Sequence, residues 1–241
     1  MRRFFFASAL SEKMIFEGED AHHICNVLRL PVGSIIGVAG SDGISGEAKI
    51  LSITPHSVLV QLRNLTPSTE PPVAVWLVQA LTKGEKMDWI VEKAVELGVA
   101  GIIPIMSEHC VVRYDETKCE RRRQRWQNIA SSAAKQSGRG KVPPVFPICC
   151  FTDVFAKIPG EMATMMLYEN EKSRGFRTVL NAHKDSWALF VGPEGGFSSA
   201  ETEEFKKHGG CTVGMGPRIL RTETAGLAAM TIVMYECGGL E

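Results

Sequence analysis

At 241 residues the chain is long enough for one large domain or two modest ones, and either would bury a real core. Its 27 basic residues balance 27 acidic ones, so net charge gives no argument for a nucleic-acid partner and any basic footprint must be local. The seven cysteines are odd in number, form no C-x-x-C pair and sit mostly in apolar runs, which reads as reduced thiols of a cytosolic protein and argues against zinc or any other metal.

The apolar start, Phe4-Phe5-Phe6, is broken by Ser8, Ser11, Glu12 and Lys13, so neither a signal peptide nor a membrane span is expected. Residues 1–66 instead read as a small β-rich module. Short β-prone runs at 4–6, 14–16, 35–38, 48–51 and 58–60 are separated by turn signals, and Ser41-Asp42-Gly43 supplies a hairpin turn. One helical stretch, 20–28, lies among them, and a small β-barrel fits this spacing. His22, His23 and Arg29 fall on or just after that helix, with Arg2 and Arg3 at the start; the residues alone read as a solvated face with one core histidine. The run Thr66-Pro67-Ser68-Thr69-Glu70-Pro71-Pro72 resists both helix and central strand, which places a border there and gives domains 1–70 and 71–241.

Beyond the border, strands and helices alternate, which argues for a mostly parallel α/β sheet. A strand over 73–81 is followed by an amphipathic helix over 84–97, with Met87, Ile90, Val91, Ala94 and Val95 on one face and Gly98 ending it. Lys83, Lys86 and Lys93 belong to this loop and helix. A strand over 101–106 precedes a long helix over 116–136, with Trp126, Ile129, Ala130 and Ala133 inward. Arg121, Arg122, Arg123 and Arg125 lie in its first half. Such a charge run reads most simply as a solvated face, with an RNA contact as the alternative. The basic glycine loop Gln136-Ser137-Gly138-Arg139-Gly140-Lys141 suits a helix cap or a contact to phosphate or a flipped base. A strand over 162–168 then ends at Glu169.

Two glycine-marked turns dominate the last third. Trp187-Ala188-Leu189-Phe190-Val191 reads as a buried strand, Gly192-Pro193-Glu194-Gly195-Gly196-Phe197 follows it, and Ser198-Ser199-Ala200-Glu201 is a helix-start capping pattern. Cys211-Thr212-Val213 repeats the design, with Gly214 and Gly216 before a helix from about Thr222 to Cys237. Glycines between a strand end and a helix start let backbone approach a ligand closely, so two such loops make one pocket. Neither a phosphate loop nor a G-x-S-x-G elbow occurs, and a dinucleotide fingerprint fails because Ile219 stands where a third glycine is needed. The last helix is apolar almost all round (Ala225, Leu227, Ala228, Ala229, Ile232, Val233, Met234), so it must be covered on every side, which points to a subunit interface.

Gly-Pro-Glu-Gly-Gly-Phe from Gly192 and Arg-Ile-Leu-Arg-Thr-Glu-Thr-Ala from Arg218 together resemble the knotted, S-adenosylmethionine-dependent RNA methyltransferases, and within them the branch that methylates uracil N3 in small-subunit ribosomal RNA. The likeness extends to Arg3-Phe4-Phe5, His23 with Val27-Leu28-Arg29, Lys93-Ala94 with Glu96-Leu97-Gly98-Val99, and Gln136-Ser137-Gly138-Arg139, in this order. The resemblance implies a PUA-like RNA-binding barrel followed by a parallel-sheet methyltransferase domain tied in a trefoil knot. It also implies a cytoplasmic homodimer pairing near the last helix, acting in ribosome biogenesis on small-subunit RNA in assembled or late-assembling particles. By resemblance, the cofactor S-adenosylmethionine would be held by Leu167, Tyr168, Glu169, Gly192, Pro193, Glu194, Gly195, Gly196, Met215, Gly216, Ile219, Leu220, Thr222 and Ala225. RNA would be met by Arg2, Arg3, His23, Arg29, Lys83, Lys86, Lys93 and Arg139.

Uracil N3 carries a proton and is a poor nucleophile until it leaves, so a base or hydrogen-bond acceptor is expected. Glu194 and Glu223 are the candidates, each with a competing role of holding its own loop, and Arg221 is expected to stabilise the developing oxyanion. A ribose 2′-O-methyltransferase of the same superfamily would carry an asparagine–arginine motif early in the catalytic domain, and 73–105 holds no asparagine. A non-catalytic RNA-binding protein that keeps the fold is the remaining alternative.

Overall fold

The β-prone runs at the start of the chain become five strands: β1 (Arg3–Phe5), β2 (Lys13–Glu17), β3 (Ile35–Ala39), β4 (Ser45–Ile53) and β5 (Ser57–Thr66). In this computed structural model, which describes residues 3–159, 161–180 and 185–240, they pair in the order β1-β3-β4-β5-β2. β1 and β3 are parallel and the other pairs antiparallel. Laid flat, the two edge strands would stand about 19 Å apart, four strand spacings. Yet the rings of Phe4 on β1 and Phe16 on β2 are 5.4 Å apart, and Phe6 stacks on Phe16 at 4.2 Å. The sheet therefore curls into the expected barrel, helped by register shifts in the β4–β5 pair that bend the ladder. Phe4, Ile24, Val38, Ile50 and Val60 fill its interior. Gly43, at φ +81°, makes the β3–β4 turn, and the Asp42 carboxylate accepts the Ile44 N–H at 3.0 Å.

The expected helix over 20–28 is α1 (Gly18–His22) running into a π turn over His23–Val27, where the Leu28 N–H reaches the His23 carbonyl at 2.9 Å. Arg29 then takes φ +51°, which ends the turn abruptly.

By contacts the chain divides into a first unit of Met1–Glu70 with Ala134–Val142, and a second of Pro71–Ala133 with Pro143–Glu241. The basic glycine loop thus belongs with the barrel. Glu70 holds it: its carboxylate pairs with Arg139 at 2.5 Å and accepts the N–H groups of Gly140 (2.8 Å) and Lys141 (3.1 Å). Arg3 donates to the Gly138 carbonyl, and Lys135 pairs with Asp20 at 2.9 Å.

The second unit is a six-stranded, all-parallel sheet in the order β11-β9-β10-β6-β7-β8. Its strands are β6 (Ala74–Ala80), β7 (Gly101–Met106), β8 (Cys149–Cys150), β9 (Ala163–Leu167), β10 (Ser186–Val191) and β11 (Cys211–Val213). β6, β7 and β10 are near-continuous apolar runs because both sheet faces are covered. The helices are α2 (Lys86–Glu96), α3 (Glu116–Ser137), α4 (Phe176–Leu180), α5 (Ser199–Lys207) and α6 (Thr222–Glu236).

α6 packs on β6, β10 and α2 through Gly226, Ala229, Met230, Val233 and Met234. A Cβ on Gly226 would sit 3.3 Å from Val191, so the small residue lets α6 lie close on β10. Among the described residues, this is the face that the chain itself covers. Leu227, Ala228 and Ile232 are half-buried, and Tyr235 is 67% exposed.

Candidate active site

In a parallel sheet every segment that follows a strand emerges at the carboxyl edge, and there the loops after β9, β10 and β11 meet. The β10 loop turns back at Gly196 (φ +69°), whose N–H reaches the Pro193 carbonyl at 3.0 Å. The capping box then starts α5: Ser198 Oγ accepts the Glu201 N–H at 3.2 Å, and the Glu201 carboxylate accepts the Ser198 N–H at 2.9 Å. The β11 loop needs its glycine for a different reason. A Cβ on Gly214 would lie 2.1 Å from the Glu171 carbonyl oxygen, so no side chain fits there. Glu171 itself folds the β9 loop, its carboxylate accepting from the Ser173 hydroxyl (2.6 Å) and N–H (2.9 Å), the Thr212 hydroxyl (2.8 Å) and the Arg174 N–H (3.1 Å). These bonds, led by the Ser173 hydroxyl, hold its pKa down to about 2.

Together the loops line an open cavity of about 970 Å³. Leu167, Tyr168, Glu169, Gly192, Pro193, Glu194 and Gly196 form part of its wall, and Met215, Gly216, Ile219, Leu220, Thr222 and Ala225 another part. Gly195 does not line it; this glycine turns toward His109, whose Nδ1 lies 3.0 Å from the Gly195 carbonyl. Sequence reasoning missed the segment 171–175, which also lines the cavity, as do Phe197, Gly214 and Arg218 of the two glycine loops, which the cofactor set had left out. The Ser-Arg-Gly run at 173–175 was the available loop signal.

A buried relay fixes the first glycine loop. Gln79 on β6, fully buried, donates through Nε2 to Thr222 Oγ1 at 3.0 Å, and Thr222 Oγ1 donates to the Gly192 carbonyl at 2.6 Å. One hydroxyl thus ties the centre of the sheet, the start of α6 and the β10 loop.

The charged groups converge on Lys86. Its ammonium lies 2.7 Å from Glu194 and 3.6 Å from Glu223, and this pairing, Glu194 foremost, raises its pKa. Burial opposes ionisation of Glu194, but Lys86 and backbone N–H groups outweigh it and hold that carboxyl below its usual value. Glu194 and Lys86 line the cavity, as does exposed Arg221; Glu223 does not, and its buried Oε2, 3.6 Å from the Lys86 ammonium, is beyond hydrogen-bond distance.

The expected RNA residues divide by environment. Arg2 lies outside the described residues. Arg29 and Lys83 are exposed, and His23 is half-buried with its ring edge-on to Phe4 at 6.0 Å. Lys93 pairs with Glu92 and Glu96, each at 2.8 Å, and Lys86 belongs to the cavity. Arg139, only 5% exposed, has its guanidinium on Glu70 instead of in solvent, and Arg3 is engaged with Gly138.

A parallel sheet with glycine loops around one carboxyl-edge cavity, in a chain that also carries a small barrel, defines a class of protein, and two family models give it a name. The RNA methyltransferase domain matches residues 69–234, and the RNA methyltransferase PUA domain matches 16–63. Within that class the chain belongs to the ribosomal RNA small subunit methyltransferase E family. It is 34% identical over 226 residues to the Bacillus subtilis member, covering 91% of this chain and 88% of that one. It is 29% identical to the Mycobacterium tuberculosis member, covering 91% and 85%. A crystal structure of the Neisseria gonorrhoeae member bound to S-adenosyl methionine superposes with a TM-score of 0.87 at 32% identity, covering 98% of this chain and 97% of that one. A Legionella pneumophila structure in complex with bound cofactor SAM gives 0.81 at 30% identity, covering 97% and 96%.

Proposed function

We propose that the chain transfers a methyl group from S-adenosylmethionine to N3 of a uridine in small-subunit (16S) ribosomal RNA. Membership of the family supports the coarse reading, an S-adenosylmethionine-dependent ribosomal RNA methyltransferase. The observation that carries the finer one is a carboxylate paired with a lysine on the wall of the two-loop cavity.

The cavity suits the cofactor. Leu167, Pro193, Met215 and Leu220 offer apolar surface for an adenine, and the Glu169 carboxylate is available to ribose hydroxyls. Gly216 (φ +86°) lines the cavity with no atom within 4 Å of a Cβ built on it, leaving its backbone open to a ligand. S-adenosylmethionine supplies an electrophilic methyl group on a sulfonium. The chain's own task is to align the acceptor and to manage one proton.

Glu194 accepts that proton. Held ionised by Lys86, it is an acceptor at neutral pH yet a weak base, so removing the N3 proton depends on cations that stabilise the uracil oxygen. Arg221 lines the cavity and takes that role, while Glu223 steadies Lys86 from behind. Because N3 is a base-pairing atom, the target uridine is unpaired or flipped.

Exposed Arg29 and Lys83 and half-buried His23 are the RNA contacts, Arg29 being held in a left-handed conformation that a non-glycine residue rarely takes. The uncovered face of α6 is the homodimer contact. The working place is the cytoplasm and the substrate an assembled or late-assembling particle.

A methyl on N3 blocks pairing, so reverse transcription of treated small-subunit RNA stops one nucleotide before the target. Glu194→Gln lowers turnover by about 10²-fold or more with unchanged S-adenosylmethionine affinity. A read-through transcript, or full turnover in Glu194→Gln, contradicts the assignment.

A further inference from the structure

The arginine run of α3 sorts by partner. Arg123 pairs with Glu120 at 2.5 Å, and Arg125 pairs with Asp88, which also accepts the Trp126 indole N–H at 3.0 Å. Those two are structural. Among the described residues no carboxylate pairs with Arg113, Lys118, Arg121 or Arg122.

Lys118 and Arg122 are instead gathered on one ring. The Lys118 ammonium lies 4.7 Å from the centroid of Tyr114 and the Arg122 guanidinium 5.8 Å from it. Spacings of four residues put them on one face of α3, with Arg121 exposed at its side and exposed Arg113 next to the tyrosine. All three helix cations lie in the first two turns, and Lys118 falls in the first, where the helix dipole disfavours positive charge. An external anion would resolve that conflict.

The patch is also placed beside the cavity. The segment 107–114 leaves the carboxyl end of β7, on the same sheet edge as the glycine loops. His109 within it touches the carbonyls of Gly195 (3.0 Å) and Gly196 (3.3 Å), and the Glu108 N–H donates to Glu201 at 2.8 Å. Chain carrying the patch is therefore pinned to the first glycine loop.

We infer that Arg113, Lys118, Arg121 and Arg122, organised on Tyr114, form a phosphate-docking surface that holds the substrate RNA backbone next to the cavity. This rests on the proposed RNA methyl transfer and adds where the RNA is gripped. Phosphate contacts position RNA without reading sequence, so the effect falls on affinity and its salt dependence.

The test uses the full chain with small ribosomal subunits lacking the modification, measuring methyl transfer, filter binding between 50 and 200 mM salt, and S-adenosylmethionine affinity. For Lys118→Ala/Arg122→Ala the expected result is KM for RNA up by about tenfold and a salt slope smaller by about 2, with cofactor affinity kept. Tyr114→Phe, which keeps the ring, behaves as wild type, and Tyr114→Ala moves toward the double variant. Wild-type KM and salt slope in the double variant would overturn the inference, as would a KM effect with an unchanged slope. Failure of the methyl-transfer reading itself is separately visible as absence of transfer by the wild type, and the binding slope still decides the docking surface.

Discussion

Thr222→Val removes one oxygen and keeps the shape of the side chain, so it isolates the relay beneath the first glycine loop. Thr222 is 6% exposed and Gln79 fully buried, so water does not replace the lost hydroxyl. Two bonds disappear, the 2.6 Å bond to the Gly192 carbonyl and the 3.0 Å bond from Gln79. Gln79 Nε2 keeps the Ala80 carbonyl at 3.0 Å, whereas its Oε1 already lacks a partner. Losing the two hydrogen bonds costs about 1 kcal/mol each, and leaving the part-buried Gly192 carbonyl short of a partner adds about 1 kcal/mol, so the loss is about 3 kcal/mol. For a chain of this size that lowers the melting temperature by about 6–12 °C. Because Gly192 lines the cavity, cofactor affinity measured by calorimetry falls by about tenfold, equivalent to about 1.4 kcal/mol. Thr222→Ser restores both quantities. The control is Thr152→Val, which removes an exposed hydroxyl bonded to the neighbouring Asp153 carboxylate, outside the cavity, and changes stability by no more than about 0.5 kcal/mol. Unchanged melting and affinity in Thr222→Val would refute the relay.

Gly214→Ala drives a Cβ to 2.1 Å from the Glu171 carbonyl and lowers both melting temperature and cofactor affinity, while Gly175→Ala, with nothing within 4 Å, is tolerated in a thermal melt. Glu171 titrates near 2 in the folded chain against 4.5 for an ordinary carboxyl, so it favours the folded state above about 4.5. That contribution is lost as pH falls from 4.5 toward 2, and carbon-detected NMR of the Glu171 carboxyl should give a midpoint near 2 that moves up in a Thr212→Val/Ser173→Ala variant. Tyr235→Glu puts a charge on the uncovered face of α6 and turns the proposed dimer into a monomer in sedimentation velocity; a wild type that is already monomeric counts against that face as the interface.

Local pattern told most about the second unit, because strand, glycine turn and capped helix are all written within ten or so residues of one another. β7 and β11 have the expected bounds, and the Ser198–Glu201 capping box is present as read. The all-apolar character of α6 was equally legible, since a helix buries one face on its own sheet and its other face shows in the sequence as surplus. What the sequence hid is long-range pairing. Nothing near Arg139 announces Glu70, 69 residues away, so a basic glycine loop looked free when it is stitched to the barrel. The Glu194–Lys86 pair, 108 residues apart, was likewise invisible, and it separates two glutamates that local reasoning treated alike. The π turn after α1 escaped for a different reason, since an i→i+5 bond leaves almost no periodic trace over so few residues.

The most direct measurement is the identity of the product nucleoside. Small ribosomal subunits from cells lacking this gene are incubated with the chain and methyl-labelled S-adenosylmethionine, the RNA is digested, and the nucleosides are separated by chromatography with mass detection. Label in 3-methyluridine is the predicted result. Label in a ribose-methylated nucleoside, or in a uridine methylated at carbon, would contradict the account.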